Sequence, residues 1–440
     1  MSVTLAPTAS AQKSPFRRLL SQGTLYTAGM QLSNCAVVLP FICAHQGITW
    51  VAGLLFPAYG MGAIAGNSMA PAVLQRAGQK RHLLMAAIAG TVAAMVLLDA
   101  LIPWTGVLIA AVFVLTCLGS GVAVGISCVA YPDLISNKLS ASRRGELLLI
   151  QGAIGSVLAT VLMLLVVPAL AHGDSMAYRR DLLWLGAGGL AASAVAALFV
   201  GPIKSASITT RLSVRDTYRQ GFAVARSQSW FRRYVITYLL FAPINLGTVF
   251  YTLRTAHHSG TLHVLVVLSS VGLVLGSTVW RKVFRVFGVR GMLLGSALLS
   301  VAAVVLCIVA ESSGQWFHMW AYGTAFFLAT VAGQAIFASA VSWISVAAPE
   351  QHRGTLIGFG STVYNVASTV LGAALGSIAQ MHSTIWPDVL LLILTVAAAL
   401  AALGAPASET RRTAAALERS VAFPRRSFST ASPSLSLQAA

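Results

Sequence analysis

Residues 71–83 read PAVLQRAGQKRHL, and 210 positions later residues 281–293 read RKVFRVFGVRGML. Gly78 and Leu83 of the first stretch recur as Gly288 and Leu293 of the second, and upstream Gly62 and Gly66 recur as Gly272 and Gly276 at the same displacement. Further out the match persists with a drift of one residue: Arg144-Gly145 returns as Arg353-Gly354, and Asn34 as Asn245. A single glycine match means little, but matches in three separated places and in one order define a duplicated unit. The chain is two parallel copies of one architecture.

Composition says what each copy is made of. Of 440 residues 57% are apolar and only 9% charged, against roughly 25% charged in an ordinary soluble domain. A spanning helix needs about 20 mostly apolar residues. Twelve such runs stand between basic breaks, at 23–44, 47–74, 82–101, 105–131, 147–170, 180–201, 234–254, 261–282, 290–310, 316–346, 355–379 and 384–404, here called spans 1 to 12. The fold class expected is an all-α membrane protein of twelve transmembrane helices in two pseudo-symmetric six-helix bundles. Residues 1–22 form a cytoplasmic N-terminal segment, 23–201 the first bundle, 202–233 a basic cytoplasmic linker, 234–404 the second bundle and 405–440 a disordered cytoplasmic tail.

The net charge of +18 would suggest nucleic acid in a soluble protein, but the charge follows the membrane. With a cytoplasmic N-terminus, every lysine and arginine of the 29 falls on the inner side except Arg179, Arg180 and Arg254. That is the positive-inside bias, with both termini in the cytoplasm of an inner or plasma membrane. One missed or invented span would have reversed the bias in every later loop, so the bias also checks the number twelve. No nucleic-acid partner is expected. In the linker, Leu212, Tyr218, Phe222 and Trp230 alternate with arginines, as in a short helix lying in the headgroup layer; a solvated linker is the alternative. Cys35, Cys43, Cys117, Cys128 and Cys307 all fall in spans without metal-ligand spacing and read as small packing residues. In the tail, Arg425-Arg426-Ser427 has the form of a basophilic kinase site.

The loop PAVLQRAGQKRHL resembles the signature of the major facilitator superfamily, roughly GxLaDrxGrkxxl, with Arg76, Gly78, Lys80 and Leu83 on its Arg, Gly, Lys and Leu. Pro71 replaces the leading glycine, and Gln75 stands where that family carries an aspartate. The second copy keeps Gly288, Arg290 and Leu293, with Arg285 at the acidic position, and Ala348-Pro349 before Arg353-Gly354 is similar to the family's start of span 11. The resemblance implies that spans 1, 4, 7 and 10 line a central cavity, that 2, 5, 8 and 11 form the interface between halves, and that 3, 6, 9 and 12 face lipid. Spans 3, 6, 9 and 12 are accordingly almost purely Leu, Ala, Val and Gly. It also implies a cytoplasmic latch built around Gln75, Arg76, Gly78, Lys80, Arg144, Gly145, Gly288, Arg290, Arg353 and Gly354. With glutamine at position 75, that latch has to use neutral hydrogen bonds or different partners. The arginine of span 4 linked to proton coupling and the Gly-Pro pattern of drug-proton antiporters in span 5 are both absent.

Polar residues inside spans are costly unless they face a bundle interior or water. On span 1, Thr27, Gln31 and Asn34 share one helical face, and Asn245, Thr248 and Thr252 share one on span 7. By the repeat, Asn34 and Asn245 should face each other across the cavity. With Gln334 on span 10 and Tyr364 and Asn365 on span 11, they are the candidate substrate contacts; ties between helices are the alternative. Tyr59 and Asn67 on span 2 follow. The pairs Gly62/Gly66 and Gly272/Gly276 read as close packing points at the moving interface. No carboxylate lies near the middle of a span; Asp99 and Glu311 fall at outer ends and Glu146 at an inner one. The expected function is alternating-access transport of a small organic solute by a permease, as an exporter of a metabolite or drug-like compound or as an uptake system, probed against a non-transporting scaffold. The spans supply no convergent acid, base or metal group, so no enzyme, cofactor or metal is expected. The expected partners are the solute and the bilayer around a monomer, with a coupling ion, proton or sodium, left unassigned.

Overall fold

The computed structural model describes residues 13–33, 39, 42–43, 49–102, 107–171, 175–203, 213–244, 261–314, 318–348, 353–381 and 385–406. Every regular element among them is helical. Span 1 begins at Lys13, upstream of the expected residue 23, and is described as Lys13–Leu32. Spans 2, 3, 4 and 6 are Thr49–Ala77, Arg81–Leu101, Val107–Lys138 and Ser175–Leu198. Span 5 runs Ala141–Val161, widens through a π-turn at Leu162–Val166 and ends as Val167–Ala171. Span 7 starts at Ser229 and is described to Leu240. Spans 8 and 9 form the run Thr261–Ser312, broken at Gly288, and spans 10, 11 and 12 are Met319–Ala347, Arg353–Met381 and Ile385–Ala402. Six of the described helices are long and apolar enough to cross a bilayer by length and composition, and the chain is an integral membrane protein.

The repeated loop glycines have a conformational cause. Gly78 has φ +52 and Gly288 φ +67 with ψ −154. A side chain at Gly78 would meet nothing within 4 Å, so the turn needs glycine for its left-handed backbone and not for room.

The other repeated glycines act by close approach. A methyl on Gly62 would run into the carbonyl of Leu118, and one on Gly66 into that of Val122, while Gly121 and Gly125 press back on Tyr59 and Ala63. Four glycines thus let spans 2 and 4 cross at backbone contact, the small-residue packing that replaces a hydrophobic drive in lipid. In the second half Gly272 packs on Phe327 and Thr330, and Gly276 on Gln334. These crossings lie inside each half, so the expected placement at the moving interface is corrected: the glycines pack helices of the same half against one another.

Contacts between the halves come from spans 2, 5, 8 and 11, joined by spans 4 and 10. Spans 3, 6, 9 and 12 carry exposed aliphatic side chains, among them Leu98, Val195, Leu298 and Ile393, as lipid-facing helices should. On the basic face, cations tie down helix ends. Lys138 donates to Val200 O at 2.8 Å and Pro202 O at 3.1 Å, and Arg18 to Phe199 O at 3.0 Å, beyond the end of span 6. Arg290 donates from Nε to Ala405 O at 2.9 Å beyond span 12. Terminal helix carbonyls lack intrahelical donors and carry partial negative charge, so cations belong there. Arg290 is therefore a cap within its own half and not a contact between halves. In the linker, Val214–Ser227 forms a helix opened by a capping box of Ser213 and Asp216; the Ser213 hydroxyl holds the Asp216 carboxyl below the usual carboxylate range. Arg215, Arg219, Phe222 and Arg226 are exposed on it.

Candidate functional site

A cavity of about 310 Å³ lies between the halves, walled by Gln22, Tyr26 and Thr27 of span 1, Ser127, Cys128 and Tyr131 of span 4, Gln151 of span 5 and Gln334 and Phe337 of span 10. At 1.5 Å per residue, Gln22 stands roughly 14 Å along span 1 from Lys13, and Gln334 roughly 20 Å along span 10 from Ala347. The cavity therefore occupies the depth between the basic face and the bilayer middle. Glycines admit its polar groups: a methyl on Gly23 would collide with the Gln151 side chain, and one on Gly155 would sit 2.7 Å from Thr27 Cβ.

Three amides shape the wall. Gln22 Nε2 donates to Ser193 Oγ at 3.3 Å, Gln151 Oε1 accepts from the Tyr131 hydroxyl at 2.7 Å, and Gln334 Nε2 donates to Leu273 O at 3.1 Å. Gln334 Nε2 also reaches Leu149 O of the opposite half, at 3.5 Å. A column of aromatic rings rises along span 7 towards the same depth: Trp230, Phe231, Tyr234 and Tyr238 follow one another at centroid separations of 5.4–5.9 Å, and Tyr364 of span 11 lies 4.6 Å from Tyr238.

Towards the basic face the cavity is shut by contacts that cross between halves. Arg353, at the start of span 11 and 7% exposed, donates to Ser136 Oγ in span 4 at 3.1 Å. Arg144, its repeat partner, donates to Ser136 O at 2.6 Å and Leu139 O at 2.8 Å. Two arginines related by the repeat thus converge on one turn, one from each half. Beside them Gly145 faces Phe284 and Ser342, and Gly354 faces Leu74, each at 3.5 Å from where a methyl would stand. Glu146 in span 5 lies 3.8 Å from Arg281 and 3.6 Å from Arg285 in span 8. Glu146 thus sets a carboxylate of the first half opposite two arginines of the second. A second carboxylate, Asp133, forms a buried ion pair with Arg81 that joins spans 3 and 4 within the first half.

Of the residues expected from sequence, Gln334 lies in the cavity wall and Tyr364 in the aromatic column. Gln31 is half-buried and outside the cavity wall, and Asn365 is half-buried with its carbonyl accepting from Thr369 Oγ1 at 2.8 Å. Asn34, Asn245 and Thr248 lie outside the described residues. Arg144, Gly145, Arg353 and Gly354 meet at the closure; Gln75 is half-buried, and Arg76 and Lys80 are exposed. Sequence reading missed Gln22, Tyr26, Tyr131 and Gln151. Gln22 stands one residue before the apolar run 23–44; Gln151 carries a legible signal, an amide ten residues into an apolar helix. Asp99, read as an outer-end residue, is 3% exposed and accepts from Thr116 Oγ1 at 2.8 Å. Among the described residues no group of three or more His, Cys, Asp or Glu is placed to hold a metal ion.

The chain is 63% identical over 399 residues to Uncharacterized protein Rv2209 of Mycobacterium tuberculosis, across 90% of this chain and 78% of that protein, and equally to Uncharacterized protein Mb2232 of Mycobacterium bovis. The chain belongs to the family of these mycobacterial proteins. No family model matches it. Its architecture has solved counterparts: the human organic anion transporter MFSD10 (TM-score 0.68, 16% identity, 88% of this chain and 99% of that one), the E. coli fucose:proton symporter FucP (0.64, 12%, 89% and 98%), and a bacterial homologue of the iron transporter ferroportin in an outward-facing state (0.68, 12%, 89% and 98%). The fold of this mycobacterial family is the major-facilitator fold.

Proposed function

We propose that the chain is a secondary transporter that carries a small organic solute across the cell membrane by alternating access, with its basic face and both termini in the cytoplasm. The observation that carries this reading is one cavity of solute size walled by both halves and closed on the basic face by Arg353, Glu146 and the Gly145 and Gly354 contacts. A cavity of about 300 Å³ or more, largely apolar with a few placed polar groups, is the ordinary form of a small-molecule site. Two six-helix halves joined on the basic face by separable polar contacts, and deeper by the packing of spans 5 and 8 with the Ser156–Ser270 hydrogen bond at 3.0 Å, can rock about such a site. With that face cytoplasmic, the conformation is one closed to the cytoplasm. Asp99, buried and bonded by Thr116, is the carboxylate at which a coupling proton or sodium ion would bind.

The test uses Cys128, which lines the cavity, as the single cysteine after Cys35, Cys43, Cys117 and Cys307 are replaced. Impermeant thiol reagents are applied to each side of oriented vesicles, with and without candidate solutes. Labelling that moves from the outer to the cytoplasmic side as solute is added supports alternating access, and net solute flux under an imposed ion gradient separates export from uptake. Cys128 unlabelled from either side under every condition refutes the reading and leaves a non-transporting scaffold.

A further inference from the structure

The linker helix Val214–Ser227 carries one face that the packing of the spans does not use. The helix lies against span 2 of the first half, span 11 of the second and the start of span 7, with Val224 half-buried against the core. At about 100° per residue, Arg215, Arg219, Phe222 and Arg226 fall within about 60° of one another, on the side away from Val224. All four are exposed, Phe222 at 64%. Asp216 stands beside this stripe and accepts from the Ser213 hydroxyl at 2.8 Å, so the face keeps three arginines against one acid. From Arg215 to Arg226 the stripe is roughly 16 Å long.

This face begins at the membrane surface. Only Gln228 separates the helix from span 7, and Arg232, Arg233 and Ile236 are exposed along one side of that span. An exposed isoleucine one turn beyond two exposed arginines marks the passage from headgroups to acyl chains, and Arg226 precedes Arg232 by six residues.

We propose that the stripe binds anionic phospholipid headgroups of the leaflet on the basic side; calling that leaflet cytoplasmic rests on the reading of the basic face given above. A guanidinium meets phosphate oxygens in a bidentate fork, each arginine near an anionic surface adds attraction, and Phe222 enters the acyl boundary between them, as in helices that lie in the interface. An acidic protein segment would match the arginines but leave the ring in water. The chain's own tail is not the occupant, because residues 407–440 carry five arginines and two glutamates, and like charges repel.

The test uses the full chain with its five native cysteines replaced and a donor fluorophore on Ala223→Cys, an exposed position beside Phe222. The protein is placed in phosphatidylcholine nanodiscs holding a trace of acyl-labelled acceptor lipid, either phosphatidylglycerol or phosphatidylcholine. Energy transfer should show phosphatidylglycerol enriched about five-fold or more over phosphatidylcholine, the factor for one arginine's attraction, and the enrichment should fall several-fold from low to high salt. Arg215→Gln/Arg219→Gln/Arg226→Gln should bring it to within about two-fold of unity. Phe222→Ser should lower transfer to both lipids while leaving phosphatidylglycerol preferred. Equal transfer to the two lipids in the parent overturns the inference and leaves the face to an acidic protein; unchanged enrichment in the triple variant overturns it too, and unchanged transfer in Phe222→Ser overturns the insertion of the ring. The parent's lipid comparison and salt dependence stand even if a variant fails to fold. Nanodiscs expose both leaflets alike and the readout does not involve the cavity, so a failure here is distinguishable from a failure of the transport reading.

Discussion

Replacing Arg353 with glutamine tests the closure of the basic face most directly. Its guanidinium is buried and donates to Ser136 Oγ across the halves at 3.1 Å. A hydrogen bond from a charged group contributes about 1.5–3 kcal/mol. Ser136 is neutral and its own proton is already committed to Asp133 O at 2.8 Å, so the substitution strands no charge opposite it. The two Glu146 contacts are longer and partly solvated, each contributing at most about 1 kcal/mol. Losing the Arg353 bond alone should therefore raise the ratio of opened to closed basic face about 10- to 150-fold, and adding Glu146→Gln should raise it a few-fold more. The readout is the thiol-labelling rate of a cysteine at Ser342, which is 3% exposed and faces Gly145 inside the closure. With the native cysteines removed, that rate, measured from the basic side, should rise by the same factor while the open population remains the minority. A folded Arg353→Gln/Glu146→Gln protein that labels within two-fold of the parent would refute the assignment of these contacts as the latch.

Three further outcomes follow from the packing. Gly66→Ala, which drives a methyl into the Val122 carbonyl, should destabilise the first half by about 1–3 kcal/mol or more, seen as a lower thermal midpoint, whereas Gly188→Ala, with open space around it, should be near neutral. Asp133→Asn should cost about 3–5 kcal/mol by stranding the buried Arg81 charge, and Arg81→Met/Asp133→Leu should recover most of it; equal midpoints for the single and double variants would count against a buried pair. Gly78→Asn should be tolerated and Gly78→Ala should cost about 1 kcal/mol, while Gly288→Ala, at φ +67 and ψ −154, should cost more, because that region is essentially closed to side chains.

By itself the sequence determined the class, the number of spans and the twofold repeat, because each is written in one dimension. Apolar run length is set by bilayer thickness, basic residues by the side on which they remain, and Gly78 and Gly288 by a backbone angle that their own turn demands. It also pointed to Arg144-Gly145 and Arg353-Gly354 as paired features. What it could not contain was which helix each feature meets. Gly62 and Gly66 looked like interface points until span 4 was found against them, and Arg290 looked like part of a latch until the end of span 12 was found beneath it. Glu146 comes to face Arg281 and Arg285 of the other half, and the amides Gln22 and Gln151, far apart in the chain, come to one wall because glycines at 23 and 155 let spans 1 and 5 approach. Hydrogen bonds and close crossings are relations between helices, and only the tertiary packing decides which polar group meets which.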